Sequence, residues 1–272
     1  MKTQKKCTIP LVVGTMLLAF VTGAQALEVK TGHDKMKLKL YGHINRAVMF
    51  ADNGDDSKVF HVDNTNSESR IGLKAKVAAT ESLDIGGNFE VQWQANPSDK
   101  VSMEDESISG DFKERKMEVY FDVDRAGTLY IGRGQMASDD TSEVDLSGTI
   151  LAGNAGIADV GGGLKFYDAA AMMPADGEEA ERMDVHDVFY HMDGLSKKNR
   201  VRYDTPTFAG FGLRVSAGEK EIADAVLSYS STFTDGTKLQ AAVAYSDPGD
   251  GKDYTQLNGS ASVLFGFGLN LT

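Results

Sequence analysis

Apolar and polar side chains alternate with a period of two along most of this chain. Residues 83–94 show it most cleanly. Leu83, Ile85, Gly87, Phe89, Val91 and Trp93 fall on one face, and Asp84, Gly86, Asn88, Glu90, Gln92 and Gln94 on the other. A period of two over that length is a strand, not a helix. Residues 38–50 alternate similarly, Leu38, Leu40, Ile44, Val48 and Phe50 against Lys39, Tyr41, His43 and Asn45, with Arg46 breaking the apolar face. Arg46 either snorkels to a membrane interface or marks a slipped register. The pattern recurs at 70–79, 116–124, 127–134, 200–204, 211–216, 225–230, 239–245 and 256–265, and a stub begins at 269–272. These segments predict ten strands and the start of an eleventh.

The connections alternate in length. Short ones fall at 79–82, 124–127, 206–210, 234–237 and 266–268. Longer ones fall at 51–68, 95–114, 135–198, 218–222 and 246–253, of which 218–222 is shorter than its place in the series predicts. Short turns at one end and long loops at the other are the layout of a transmembrane antiparallel β-barrel. A soluble β-sandwich also alternates. Here, however, the strands run near the tilted spanning length, and their polar faces carry Arg, Lys, Glu, Asp and Gln throughout, which suits a wet lumen.

The N-terminus reads as a secretory signal over residues 1–26. Lys2, Lys5 and Lys6 precede an apolar run from 9 to 20, and Ala24-Gln25-Ala26 supplies small residues for cleavage. Residues 27–272 are then the barrel domain. Cys7 is the only cysteine, so the chain after the signal forms no disulfide. The signal removes three basic residues and no acid, leaving 25 basic against 40 acidic side chains, a formal charge of −15. That excludes a nucleic-acid partner, which needs a basic footprint. No later apolar run reaches spanning-helix length.

Candidate chemistry for an enzyme is sparse. There is no G-x-S-x-G elbow and no Walker loop. Gly161-Gly162-Gly163 reads as a flexible loop. His186 and His191 are off-face on either a strand or a helix. Residues 247–253 begin like a calcium loop but place Asn258 where the bidentate Glu belongs. We expect no enzyme, metal or cofactor.

Several segments resemble the general Gram-negative outer-membrane porins. Leu40-Tyr41-Gly42 resembles their opening strand, and Ser69-Arg70-Ile71-Gly72-Leu73-Lys74 their second. Arg125-Ala126-Gly127-Thr128-Leu129-Tyr130-Ile131-Gly132-Arg133 resembles the turn and strand before their long third loop. Tyr203-Asp204-Thr205-Pro206-Thr207-Phe208-Ala209-Gly210-Phe211-Gly212 resembles the hairpin after it. The resemblance implies a 16-stranded barrel, a homotrimer in the outer membrane, and a third loop folded inward to narrow a pore for ions and small hydrophilic solutes. The stretch 134–199 is longer than that loop alone requires, which predicts an extra element near residues 172–181. The chain stops at Thr272 without the family's terminal aromatic, which predicts a chain cut short of barrel closure.

Charged rings set selectivity in pores. The resemblance places acids on the third loop at Asp139, Asp140, Glu143, Asp145 and Asp159. It places facing bases at Arg70, Arg115, Arg133 and Arg200, with Lys74 and His43 secondary. Arg115 shares its parity with Met117 and Val119, so a bulge is required to turn it inward. The net charge predicts a cation-preferring pore, while acids in the outer loops suit lipopolysaccharide bridged by divalent ions. Two rival readings remain: a plugged structural or adhesive barrel, and an outer-membrane hydrolase.

Overall fold

The computed structural model describes residues 27–29, 34–53, 56–153, 156–166, 182–190, 192–249 and 251–272. The signal segment, the element expected near 172–181, His191 and Asp250 lie outside these residues. The strands in chain order are β1 (Leu27–Val29), β2 (Met36–His43), β3 (Arg46–Asp52), β4 (Ser57–Asp63), β5 (Arg70–Ala78), β6 (Leu83–Gln94), β7 (Asp111–Val123) and β8 (Gly127–Gln135). Two short helices follow, α1 (Ile157–Gly161) and α2 (Val185–Val188). Then come β9 (Lys197–Asp204), β10 (Phe211–Gly218), β11 (Ala223–Thr232), β12 (Lys238–Asp247), β13 (Gln256–Leu264) and β14 (Asn270–Leu271).

All strands but β3 and β4 join one antiparallel sheet of twelve, ordered β1-β2-β5-β6-β7-β8-β9-β10-β11-β12-β13-β14. Each strand from β5 onward pairs with its neighbour in sequence, across short turns and long loops alike. The sheet is open between β1 and β14. It separates side chains in the reverse of a soluble core. Ile71, Phe89, Met117, Val119, Leu227 and Val243 are exposed, whereas Glu90, Gln92, Glu118, Arg200, Asp224 and Ser262 are buried. Aromatic side chains gather at both ends of the apolar face. Trp93 packs edge-on against Phe112 at the loop end, and Phe211 pairs with Tyr229, and Phe265 with Phe267, at the turn end. Apolar bands flanked by aromatic girdles belong to strands that meet lipid.

Three departures from the sequence pattern have physical causes. The expected strand 38–50 is two strands. It breaks at Ile44 and Asn45, and residues 46–63 form a separate hairpin, β3 paired with β4. Arg46 therefore opens a new strand, with its guanidinium 3.4 Å from Asp63. The hairpin buries Ala47, Met49 and Ala51, the parity opposite to Val48 and Phe50, because it packs on the other long loops rather than on lipid. Gly161–Gly163 is not a flexible loop. A Cβ at Gly162 would lie 1.9 Å from the His186 ring, so helix α1 closes tightly onto α2 there. The short 218–222 connection is a tight hairpin turn, with Lys220 and Glu221 at φ 59° and 62°, the left-handed pair such a turn needs.

We number the long connections as loops 1 (44–69), 2 (95–110), 3 (136–196), 4 (219–222) and 5 (248–255). Loop 1's hairpin, loop 2 and helices α1 and α2 of loop 3 enclose an apolar cluster that includes Met49, Phe60, Val62, Val101, Leu164 and Val185. This cap sits over the loop end of the sheet.

Candidate functional site

Loop 3 leaves β8 and lies against the polar face of the sheet. Serine and carboxylate side chains of the wall capture its backbone. The Ala137 amide donates to Ser216 Oγ (2.8 Å), and the Ser138 amide and hydroxyl donate to Asp224 (2.8 and 2.6 Å). Farther along, the amides of Val144 and Leu146 donate to Ser260 and Ser262 Oγ (2.9 and 3.0 Å). Residues 137–146 thus cross the inner face from β10 to β13. Asn45 then donates to the carbonyl of Leu151 (2.8 Å) and Asn64 to that of Ala152 (3.2 Å), both from the loop 1 corner beside β2. Only a few residues separate Leu146 from Leu151, and at most ~3.6 Å of reach per residue is available. The sheet is therefore curled so that its far strands approach its first, and loop 3 spans the trough.

The turn at 138–143 concentrates acid. Asp193 holds it from behind, accepting the amides of Asp140 (3.0 Å) and Ser142 (3.1 Å). Asp139 is buried and accepts from Lys197 Nζ at 3.0 Å. Burial raises the Asp139 carboxyl above its ordinary range, against the pull of Lys197. Asp140 faces the open trough and accepts from Gln135 at 2.6 Å. Glu143 is pushed up to about 7, first by burial and then by the negative charges of Asp193, Asp140, Asp159 and Asp139. Asp145 is held below its usual range by hydrogen bonds from Ser147, and it also accepts from Thr272 Oγ1 at 3.2 Å. Asp159 lies in the first turn of α1, with its backbone oxygen accepting from Ser98. Carboxylate oxygens of Asp139, Asp140 and Asp193 come within 4.8 Å of one another. Lys197 and two backbone amides already occupy that set, so it works as an anchored turn.

The expected basic wall is arranged differently from the expectation. Arg115 does face inward, by the bulge its parity requires: the β6–β7 register shifts between Glu90 and Val91, and Arg115 is the extra residue. It is not a free cation. Its Nε lies 2.7 Å from Glu90, and its Nη1 lies 2.8 Å from both Glu68 and Gln92. Arg70 joins the same network at 3.2 Å from Glu68 and 3.9 Å from Glu90, and Tyr41 donates to Glu90 at 2.7 Å. Arg200 is buried in an ion pair with Glu118. Lys74 lies 5.0 Å over the Tyr41 ring, and His43 Nε2 is 3.2 Å from the Ser67 carbonyl. Arg133 does not belong to the wall. It pairs across β7–β8 with Met117 on the outward face and turns to Glu114, 3.9 Å away. Period-two alternation with Leu129 and Ile131 dictates that side, because cross-strand partners share a face.

Sequence reasoning passed over Glu68, Glu90 and Glu118, the acids that neutralise these arginines, and Asp193 and Asp224, which hold loop 3. It also passed over Arg202 and Arg214 as site residues. Glu90, Glu118, Arg202 and Arg214 carry a readable signal, since all sit at inward parity on their strands. Glu68, Asp193 and the bonds of Asp224 depend on register and loop path, which no local pattern encodes. Two acids of loop 2 are paired with bases, Glu104 with Arg182 and Glu106 with Lys58.

No curated protein matches the chain. Among solved structures, the anion-selective porin from Comamonas acidovorans aligns at 16% identity and a TM-score of 0.43, covering 84% of this chain and 71% of that one. The sequence profile of the Gram-negative porins matches residues 14–272. With its apolar outside, polar inside and a loop crossing the trough, this chain belongs to the Gram-negative porin family, the channel proteins of the outer membrane.

Proposed function

We propose that the chain forms a homotrimeric, water-filled channel for passive diffusion of ions and small hydrophilic solutes, with residues 137–146 as its constriction and a modest preference for cations. The observation that carries the reading is the pinning of that segment across the polar face by Ser216, Asp224, Ser260 and Ser262. A loop so placed narrows the passage without filling it with apolar side chains.

The ion preference follows from which charges are left over. Arg70 and Arg115 are balanced by Glu68 and Glu90, and Arg200 by Glu118. Lys197 answers Asp139. Asp140 and Glu143 have no ion-pair partner among the described residues, and neither do the wall cations Lys74, Lys116 and Arg214. Gln135 bridges two of them, accepting from Lys116 at 3.0 Å and donating to Asp140 at 2.6 Å, and being neutral it cancels neither charge. Such opposed charges order water across the gap, which favours polar solutes over apolar ones. The surplus of carboxylates on loop 3 enriches cations.

The test is conductance in a planar bilayer under a potassium chloride gradient. Stepwise openings in threes and a reversal potential of the sign set by potassium are expected. A folded, heat-modifiable protein that inserts but never conducts would overturn the channel. A reversal potential set by chloride would overturn the preference alone.

A further inference from the structure

On the short-turn side of loop 3, a recess of about 410 Å³ opens between the loop and the inner face of β9–β12. It is lined by two acids from the loop, Asp139 and Asp140, and two arginines from the wall, Arg202 and Arg214. One member of each pair is committed. Arg202 grips Asp204 with both nitrogens of its fork (2.7 and 2.8 Å) and also donates to the Met136 carbonyl at 3.1 Å. Asp139 holds Lys197.

The other two are not committed. Arg214 makes no hydrogen bond and no ion pair with any described residue, and its Nε is buried without an acceptor. A buried guanidinium N–H left without an acceptor is costly and rare. Asp140 accepts from the neutral amide of Gln135 and meets no cation among the described residues. Asp140 and Arg214 both line the recess, so the two face a common space. Gly210 and Gly212 leave the floor open, and Ser228, Ser230 and Gln240 add neutral polar groups around it.

A pure anion entering this recess meets Asp139 and Asp140, and a pure cation meets Arg202 and Arg214. A small molecule bearing both charges satisfies each end. We propose that the recess is a transit site for small zwitterionic solutes, with the carboxylate on the Arg214 fork and the ammonium toward Asp140. A planar guanidinium recognises a carboxylate through two parallel hydrogen bonds. The site is open to the lumen, so solutes bind weakly enough to leave, as conduction requires. The inference rests on the channel reading above and names the solute class for it.

The experiment is single-channel recording in potassium chloride with three four-carbon probes: γ-aminobutyrate, butyrate and butylammonium. Brief current interruptions that increase with γ-aminobutyrate concentration are expected, with butyrate and butylammonium each at least about tenfold weaker, the worth of one lost charge-assisted contact. Arg214→Gln and Asp140→Asn should each weaken the γ-aminobutyrate block by a similar factor. Arg214→Lys, which keeps the charge but not the fork, should fall between wild type and Arg214→Gln, and it decides the matter if the glutamine variant does not assemble. Equal block by butyrate, or block indifferent to these substitutions, would overturn the zwitterion site while leaving the channel standing. Insertion without any potassium chloride current would overturn the channel, and the site with it.

Discussion

Phe60, Met49 and Val62 in the loop cap are buried among other apolar side chains. Leu227, Val243 and Phe89 on the wall are bare, while Glu118, Gln92 and Ser262 beneath them are enclosed. Both regions are antiparallel β-structure with the same period. They differ in what lies on each side. The cap has water outside and must hide its apolar face against itself. The wall has lipid outside and water inside, so burial there is governed by hydrogen bonding rather than by apolar area. One chain therefore obeys two solvents, and a substitution should do different things in the two regions.

The sharpest way to break the contrast is Phe60→Ala. Removing a buried phenylalanine from a packed core costs about 3–5 kcal/mol. The loss should fall on the cap. Loops 1 and 2 should become open to protease while the heat-modifiable band of the barrel persists. Loss of the barrel band together with the cap would show that the two regions are one cooperative unit.

On the wall, Leu227→Arg should cost roughly 2–4 kcal/mol, because the outward face near mid-strand meets hydrocarbon. Ser228→Arg, one residue along and inward, should cost far less and should change ion preference instead. Urea titrations of the two folded variants in lipid measure the difference. Equal losses would mean that the face assignment is wrong.

Asp224→Ala tests the join between wall and loop. It removes the acceptor of the Ser138 amide and hydroxyl and of Ser216 Oγ, leaving buried donors unmet at about 1–3 kcal/mol. Loop 3 should loosen, seen as open-channel noise and new cleavage within 136–147. Asp224→Asn keeps an acceptor oxygen and should be quieter.

The wall was largely legible in the sequence and the cap was not. Alternation reports a strand with different media on its two faces, which describes β5–β13. It misled at residues 46–52, where the alternation runs on in phase with β2 although the strand has left the wall and the buried positions, Ala47, Met49 and Ala51, are apolar. Arg46 was the visible sign. Leu27-Glu28-Val29 is too short to carry a period, so β1 was missed. At the site, parity correctly turned Arg70 and Arg200 inward and flagged the bulge at Arg115. Applied without the family resemblance, it would also have sent Arg133 outward. The counter-acids of the arginines were unread because Glu90 reaches Arg115 across strands and Glu118 reaches Arg200 over 82 residues. Such pairs follow register, which a single sequence does not display.

The smallest predicted effect concerns pH. Glu143 on loop 3 sits at about 7, raised by burial and by its acidic neighbours. It is charged above that value and neutral below it. Asp139 is also raised and loses charge next as pH falls. Cation preference should therefore be strongest at pH 8 and decline as pH falls through 7 toward 5. The decline should be about twofold in the potassium-to-chloride permeability ratio, since one charge in a largely aqueous gap contributes at most ~1 kcal/mol. Glu143→Gln removes the first titration. Its ratio should already be low at pH 8 and flat down to about 6.5. If its profile superimposed on wild type, Glu143 would lie off the ion path, and the charges that select ions would have to be sought among Asp140, Lys74, Lys116 and Arg214.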